Sequence, residues 1–165
     1  LDLTVASGGS DGKAIHFVAN ADIADLSVFG VGVANNGGGT DGLEYSFDPI
    51  SVSAGESILL ARSTDAMATY FDSCFASFEH VLVASSSISQ NGDDAIELYF
   101  GDEIVEVFGD ADVDGSGQDW EYLDSWAYKV GDAWTYGGVN CTEDADGNAV
   151  ATTFEASCVY PMCGP

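Results

Sequence analysis

Short apolar stretches cut by glycine-bearing turns run along this chain, and that rhythm limits its fold more than any other feature. AIHFV at Ala14 to Val18, HVLVAS from His80, AIELYF from Ala95 and EIVEVFG from Glu103 each last a few residues before a turn signal intervenes. Valine, isoleucine and aromatic side chains in such brief runs favour strands, because branched and ring side chains pack well on a pleated surface. Twenty glycines and three Lys and Arg residues in all leave little helix-favouring material. An all-β architecture is the expectation. At 165 residues, 46% of them hydrophobic, the chain is the size of one domain with ample core.

Leu1 to Val5 alternates apolar and polar, and Ser7 to Gly12 punctuates before Ala14, so two strands and a turn are expected. Ile23 to Val33 has an extended pattern and leads into NNGGGTDG at Asn35 to Gly42, a loop no compact helix would accept. LEYSFDPI alternates up to Pro49, and Ile58 to Ala61 is a continuous apolar run suited to a buried strand. One helix is expected after Ser63 and Thr64 as caps, since Met67, Tyr70, Phe71 and Cys74 recur at i, i+3, i+4 and i+7. Gly101-Asp102 signals a hairpin between the last two strand patterns. Trp120, Tyr122, Trp126, Tyr128 and Trp134 read as core residues or as pins for a neighbouring acidic loop. Composition shifts after Gly131, so residues 1–130 are expected to form the main domain and 131–165 a turn-rich, cysteine-containing extension packed on it.

Charge excludes whole classes of partner. Twenty-eight Asp and Glu face only Lys13, Arg62 and Lys129, for a formal net charge of -25. Nucleic acid is excluded as a direct partner, because its affinity comes largely from Lys and Arg neutralising phosphates, and anionic lipid is repelled likewise. The charge either solvates the surface in salty water or serves cations, and the two are compatible. No run approaches the roughly 20 apolar residues of a membrane span, so no membrane insertion is expected. The start at Leu1 reads as a mature, processed product or an excised piece.

Cys74, Cys141, Cys158 and Cys163 make an even count without a Cys-x-x-Cys pair or a nearby histidine, so disulfides and an oxidising, secreted, extracellular or cell-surface setting are expected. Three connectivities are open. We expect Cys141 to pair with Cys158 across the acidic segment between them, and Cys163 to tie the tail back to Cys74.

DADVDGSGQDWE, from Asp110 to Glu121, has the spacing of a twelve-residue calcium loop. Side chains at positions one, three and five supply oxygens, seven gives a carbonyl, nine acts through water and twelve closes as a bidentate carboxylate. Asp110, Asp112, Asp114, Ser116, Gln118 and Glu121 fill those places, with Gly115 at the sixth. The strand-like EIVEVFG before it argues for a calcium loop grafted on a β scaffold, not an EF-hand. Pairing of Glu121 with Lys129 or Arg62 is the alternative. The acidic turns Asn91 to Asp94 and Asp144 to Asn148 are weaker candidates. Asn140-Cys141-Thr142 fits the glycan-acceptor pattern, used only in a eukaryotic secretory pathway.

Catalysis finds little support: His16 and His80 are the only histidines, both within strand patterns, and no nucleophile, zinc or phosphate-cradling motif occurs. A non-enzymatic protein with structural histidines is expected.

Gly12-Lys-Ala-Ile15, IADLS at Ile23 to Ser27, Asn-Gly-Asp-Asp-Ala-Ile-Glu-Leu at Asn91 to Leu98 and WEYLDSW at Trp120 to Trp126 together resemble the lamin-tail-like domain of secreted, mostly marine microbial proteins. The likeness covers Leu1 to Val130. It implies an immunoglobulin-like β-sandwich, commonly an accessory to nucleases, phosphatases or adhesins without chemistry of its own. The expected role is a calcium-binding extracellular structural or adhesion module, self-assembling as a homo-oligomer, filament or surface layer. The alternative is a carbohydrate-binding or targeting module of a secreted nuclease or phosphatase, with polysaccharide as ligand. A hydrolase with a calcium-assisted carboxylate site is a third alternative.

Overall fold

A computed structural model describes residues 1–84, 86–152 and 158–164. The strands are β1 (Ala14–Val18), β2 (Phe29–Ala34), β3 (Tyr45–Ser46), β4 (Ser57–Ala61), β5 (His80–Val83), β6 (Ala95–Phe100), β7 (Glu103–Phe108), β8 (Ala127–Val130) and β9 (Ala133–Tyr136), with one helix, α1 (Thr64–Phe71). Among the described residues they form sheets of order β1-β4-β5, β3-β2-β6-β7 and β8-β9. The chain is mostly β, in a sandwich-like arrangement with one short helix and two disulfides.

β4 sits at the centre, and all five of its residues are buried. Side chains alternate across a strand, so Ile58 and Leu60 join Leu26, Val31, Phe47 and Ile88 between the two larger sheets. Leu59 and Ala61 point the other way, to Met67, Tyr70, Phe71, Phe78, Trp126 and Tyr160. Burial on both faces is why the sequence there is continuously apolar. Each leucine so enclosed contributes about 2 kcal/mol.

Ser63 caps α1 by accepting from the Ala66 amide at 3.2 Å. Met67, Tyr70 and Phe71 are buried on one face, and a 3-10 turn at Asp72–Ser77 carries Cys74 onto the same core. Because α1 crosses from β4 to β5, that strand pair is parallel, whereas β1–β4 and the pairs of the four-stranded sheet are antiparallel.

Three strand expectations shrink. Leu1 to Val5 forms no strand: Asp2 makes a single bridge to Ser125, while Leu1 and Leu3 bury their side chains. In Ile23 to Val33 the first half is a bridge and a 3-10 turn, because Asp25 accepts from both the amide and the hydroxyl of Ser27, and such local bonding competes with a ladder. LEYSFDPI keeps only Tyr45–Ser46 as strand.

Cys74 is joined to Cys163 and Cys141 to Cys158, the expected pairing. The division at Val130 falls inside the β8–β9 hairpin, at its Gly131-Asp132 turn, and Cys158 and Tyr160 belong to the core that holds Leu1 and Phe71. Cys141, Ala149, Met162 and Cys163 pack against that same core. Among the described residues, no helix is long and apolar enough to cross a membrane.

Candidate functional site

Three loops meet beside the β6–β7 hairpin: Asn35 to Gly39, Asn91 to Asp94, and Asp110 to Glu121. The second is their hub. Asp94, 1% exposed, accepts from the amides of Asn36 at 2.7 Å and Asn91 at 2.9 Å. Asp93 accepts from the Gly115 amide through its carbonyl at 2.9 Å and from the Ser116 hydroxyl through its carboxylate at 2.8 Å. Tyr122 clamps the exit by donating its amide to Gly92 at 2.7 Å and its hydroxyl to the Asp94 carbonyl at 3.0 Å. Gly39 donates to Ala111 at 2.9 Å and closes the ring. Burial pushes the Asp94 carboxyl above its ordinary range.

Within the acidic loop, one oxygen of each of three carboxylates holds the backbone. Asp110 accepts from the Asp112 amide at 3.0 Å, Asp114 from the Ser116 amide at 2.9 Å, and Glu121 from the Gly117 amide at 2.8 Å. Asp114 is held below the usual carboxylate range by its bonds to Ser116. Asp112 and Gln118 are exposed, the latter donating its amide to Gly115 at 2.9 Å.

The loop departs from the twelve-residue template at its sixth position. Its left-handed glycine is Gly117 (φ 75°), two residues later, while Gly115 is required for close packing. A Cβ on Gly115 would stand 2.5 Å from the Trp120 ring and 2.6 Å from the Asp93 carbonyl. Trp120 also lies against Gly109 and meets Phe108 edge-on at 5.9 Å. The tryptophan thus pins the loop, as expected of it.

Asp110, Asp112, Asp114, Ser116, Gln118 and Glu121 share this one loop, and Asp93 is the acidic neighbour the sequence did not attach to it. Among the described residues, no group of three or more His, Cys, Asp or Glu side chains is arranged to hold a metal ion. The donor chemistry, all oxygen with several carboxylates, suits a hard cation such as calcium. Neither cation proposed for Glu121 pairs with it: Lys129 pairs with Glu106, and Arg62 donates to the Ile88 carbonyl at 2.8 Å.

The Asp144 to Asn148 turn is closed on itself, with Asp144 accepting from the amides of Asp146 at 2.9 Å and Asn148 at 3.1 Å. Asn140 is exposed in a left-handed conformation (φ 60°), whereas Thr142 is buried and donates to the Asp124 carbonyl at 2.8 Å. His80 meets Glu56 at 2.9 Å. His16 contacts the Tyr160 hydroxyl through Nδ1 at 3.0 Å and Phe78 edge-on at 5.1 Å. Its Nε2 is buried without a partner among the described residues, and burial first, then the terminal ammonium, lowers its pKa to about 4.

A second acidic feature escaped sequence reasoning. Glu97 is 1% exposed on β6 and accepts from the hydroxyls of Thr40 and Tyr99, the latter at 2.9 Å. Gly32 lets the loop come this close, since a Cβ there would meet the Gly42 carbonyl at 2.4 Å. The signal was a glutamate directly opposite a glycine in neighbouring strands.

Comparison with family models, with curated proteins and with solved structures finds no match to this chain.

Proposed function

We propose that this protein is a secreted, calcium-stabilised, disulfide-stapled β-sandwich of the lamin-tail-like, immunoglobulin-like type, acting by binding as an extracellular structural or adhesion module. The observation that carries the proposal is the acidic pole, where Asp93 and the Asp110 to Glu121 loop are fastened together and, among the described residues, no ion pair joins them to a Lys or Arg. Like charges so gathered favour a bound cation. Asp110, Asp112, Asp114, Glu121, the Ser116 carbonyl and Gln118 would hold calcium, which would cross-link the loop. Two disulfides support an oxidising setting. The parallel β4–β5 pair with its α1 crossover departs from the antiparallel immunoglobulin pattern.

Thermal unfolding in millimolar calcium, against magnesium at matched ionic strength and against chelator, tests the metal. A calcium-specific rise in midpoint, lost in the Asp112→Asn, Asp114→Asn double variant, is expected; calcium at 100 times its dissociation constant adds about 2.7 kcal/mol. Equal midpoints in calcium and magnesium would remove the calcium role. Light scattering with negative-stain imaging tests assembly: polymers that dissolve on chelation are expected, and monodisperse monomers in both states would sink self-assembly.

Trp134 and Tyr136 favour the alternative of a carbohydrate-binding or targeting module of a secreted nuclease or phosphatase. They lie on one side of β9, both against Phe108, with Tyr136 37% exposed. Retention on polysaccharide resins, lost on Tyr136→Ala, would support it.

A further inference from the structure

β7 closes one side of the four-stranded sheet, and β3, at the other side, has only two residues. Ile104, Val105 and Val107 on β7 are 41, 53 and 41% exposed. An exposed edge with apolar side chains is a template for a further strand. Ladder alternation settles which of its backbone groups are free. Gly101 donates to the Val28 carbonyl at 2.8 Å in register with the β2–β6 pairing, whereas the Val33 amide turns to the Glu44 carboxylate at 2.9 Å. Ala95, Glu97 and Tyr99 therefore bond to β2, and Ile96, Leu98 and Phe100 bond to β7. Opposite those three stand Phe108, Glu106 and Glu103. Val105 and Val107, on either side of Glu106, thus turn their amides and carbonyls away from the sheet.

Charge selects the occupant. Asp102 and Glu103 stand exposed at one end of this stretch and Asp110 at the other, and among the described residues none of them enters an ion pair. Glu106, between the two valines, is already paired with Lys129. A second copy pairing antiparallel would set the Asp102 and Glu103 end of each molecule against the Asp110 end of the other. Like charges directly opposite are destabilising, and each chain carries a net charge of -25. A strand with lysines at both ends and apolar residues between them meets carboxylates at both ends and valines between.

We propose that the outer edge of β7 receives an extended, lysine-flanked apolar segment of another polypeptide, which adds to the sheet as a fifth strand antiparallel to β7. Such strand addition draws affinity from main-chain bonds and specificity from alternate side chains. Val105 and Val107 each exchange an amide and a carbonyl bond with the residue opposite, and those two residues are apolar. The residue between them, opposite Glu106, is uncharged, because Lys129 already neutralises that glutamate. Lysines beyond them reach Asp102 and Glu103 at one end and Asp110 at the other. The edge stands on ladder register and local charge and does not rest on calcium binding.

The probe is the capped peptide Lys-Lys-Val-Ser-Val-Lys-Lys, titrated into the full chain at low salt, with backbone amides followed by NMR and hydrogen exchange. Exchange at Val105 and Val107 should slow at least about tenfold on saturation, and affinity should fall as sodium chloride is raised. Lys-Lys-Pro-Ser-Pro-Lys-Lys keeps the charge but lacks the two amides, and Glu-Glu-Val-Ser-Val-Glu-Glu keeps the amides but reverses the charge. Both should leave Val105 and Val107 unchanged. Val107→Pro removes an amide that faces away from β6, so it should weaken binding with the ladder intact. The control peptides keep the test decisive should that variant misfold. Unchanged amides at millimolar peptide, binding of either control as tight as that of the probe, protection confined to β1 or β5, or dimerisation through β7 that strengthens with salt would each overturn the proposal.

Discussion

The indole of Trp120 lies across Gly115 so closely that a Cβ there would stand 2.5 Å from the ring. Gly115→Ala must displace Trp120 or pull the loop from Asp93, and should cost about 2 kcal/mol, as overpacking does. Gly117→Ala meets nothing within 4 Å but is left-handed (φ 75°), and should cost about 1 kcal/mol. Denaturant unfolding measures both, and near-UV circular dichroism should change for the first alone. Equal losses would show that Trp120 does not lock the loop.

His16 should titrate near pH 4 by NMR, well below its ordinary 6.5. The folded state favours the neutral ring, because burial and the terminal ammonium outweigh Glu79. Its contribution is therefore complete above about pH 6.5 and is lost as pH falls towards 4, a span on the order of 3 kcal/mol. A midpoint near 6.5 would mean that water reaches the ring in the native state.

The two disulfides should differ in worth. Cys74–Cys163 spans 89 residues of sequence and Cys141–Cys158 spans 17. Loop-closure entropy assigns them roughly 4 to 5 and 3 kcal/mol. Paired Cys→Ser variants, compared by urea midpoint, check the order; a reversed order would show that native packing outweighs chain entropy here.

Sodium chloride should stabilise the fold. Among the described residues the ion pairs are Asp2–Lys13, Glu56–His80 and Glu106–Lys129, too few to set against a net charge of -25. Screening removes more repulsion than attraction, so the thermal midpoint should rise steadily from about 10 mM to 1 M salt, where the Debye length falls to about 3 Å. A falling midpoint would show that specific pairs dominate.

What the sequence made legible was local. The continuous apolar run of β4, the capped face of α1 and the Gly101-Asp102 hairpin each carry their signal within a few residues, and all three form. What it hid was the pairing of distant segments. Ser116 finds Asp93 from 23 residues away, and the parallel β4–β5 register depends on α1 crossing between them. A twelve-residue spacing likewise names oxygens without saying where they point. Asp110 and Asp114 each turn one to a backbone amide, because an aspartate bonds readily to the residue two ahead. Glu97 went unnoticed as a buried acid because its partners, Thr40 and Tyr99, come from a glycine-rich loop and from its own strand.

Leu1, Phe71, Trp126 and Tyr160 share one core. A nascent chain threading out in order would expose the inner faces of α1 and β4 until the last of these side chains arrived. Native packing must then follow, not accompany, elongation. Tyr160, arriving last of these four, is the latch that closes the core.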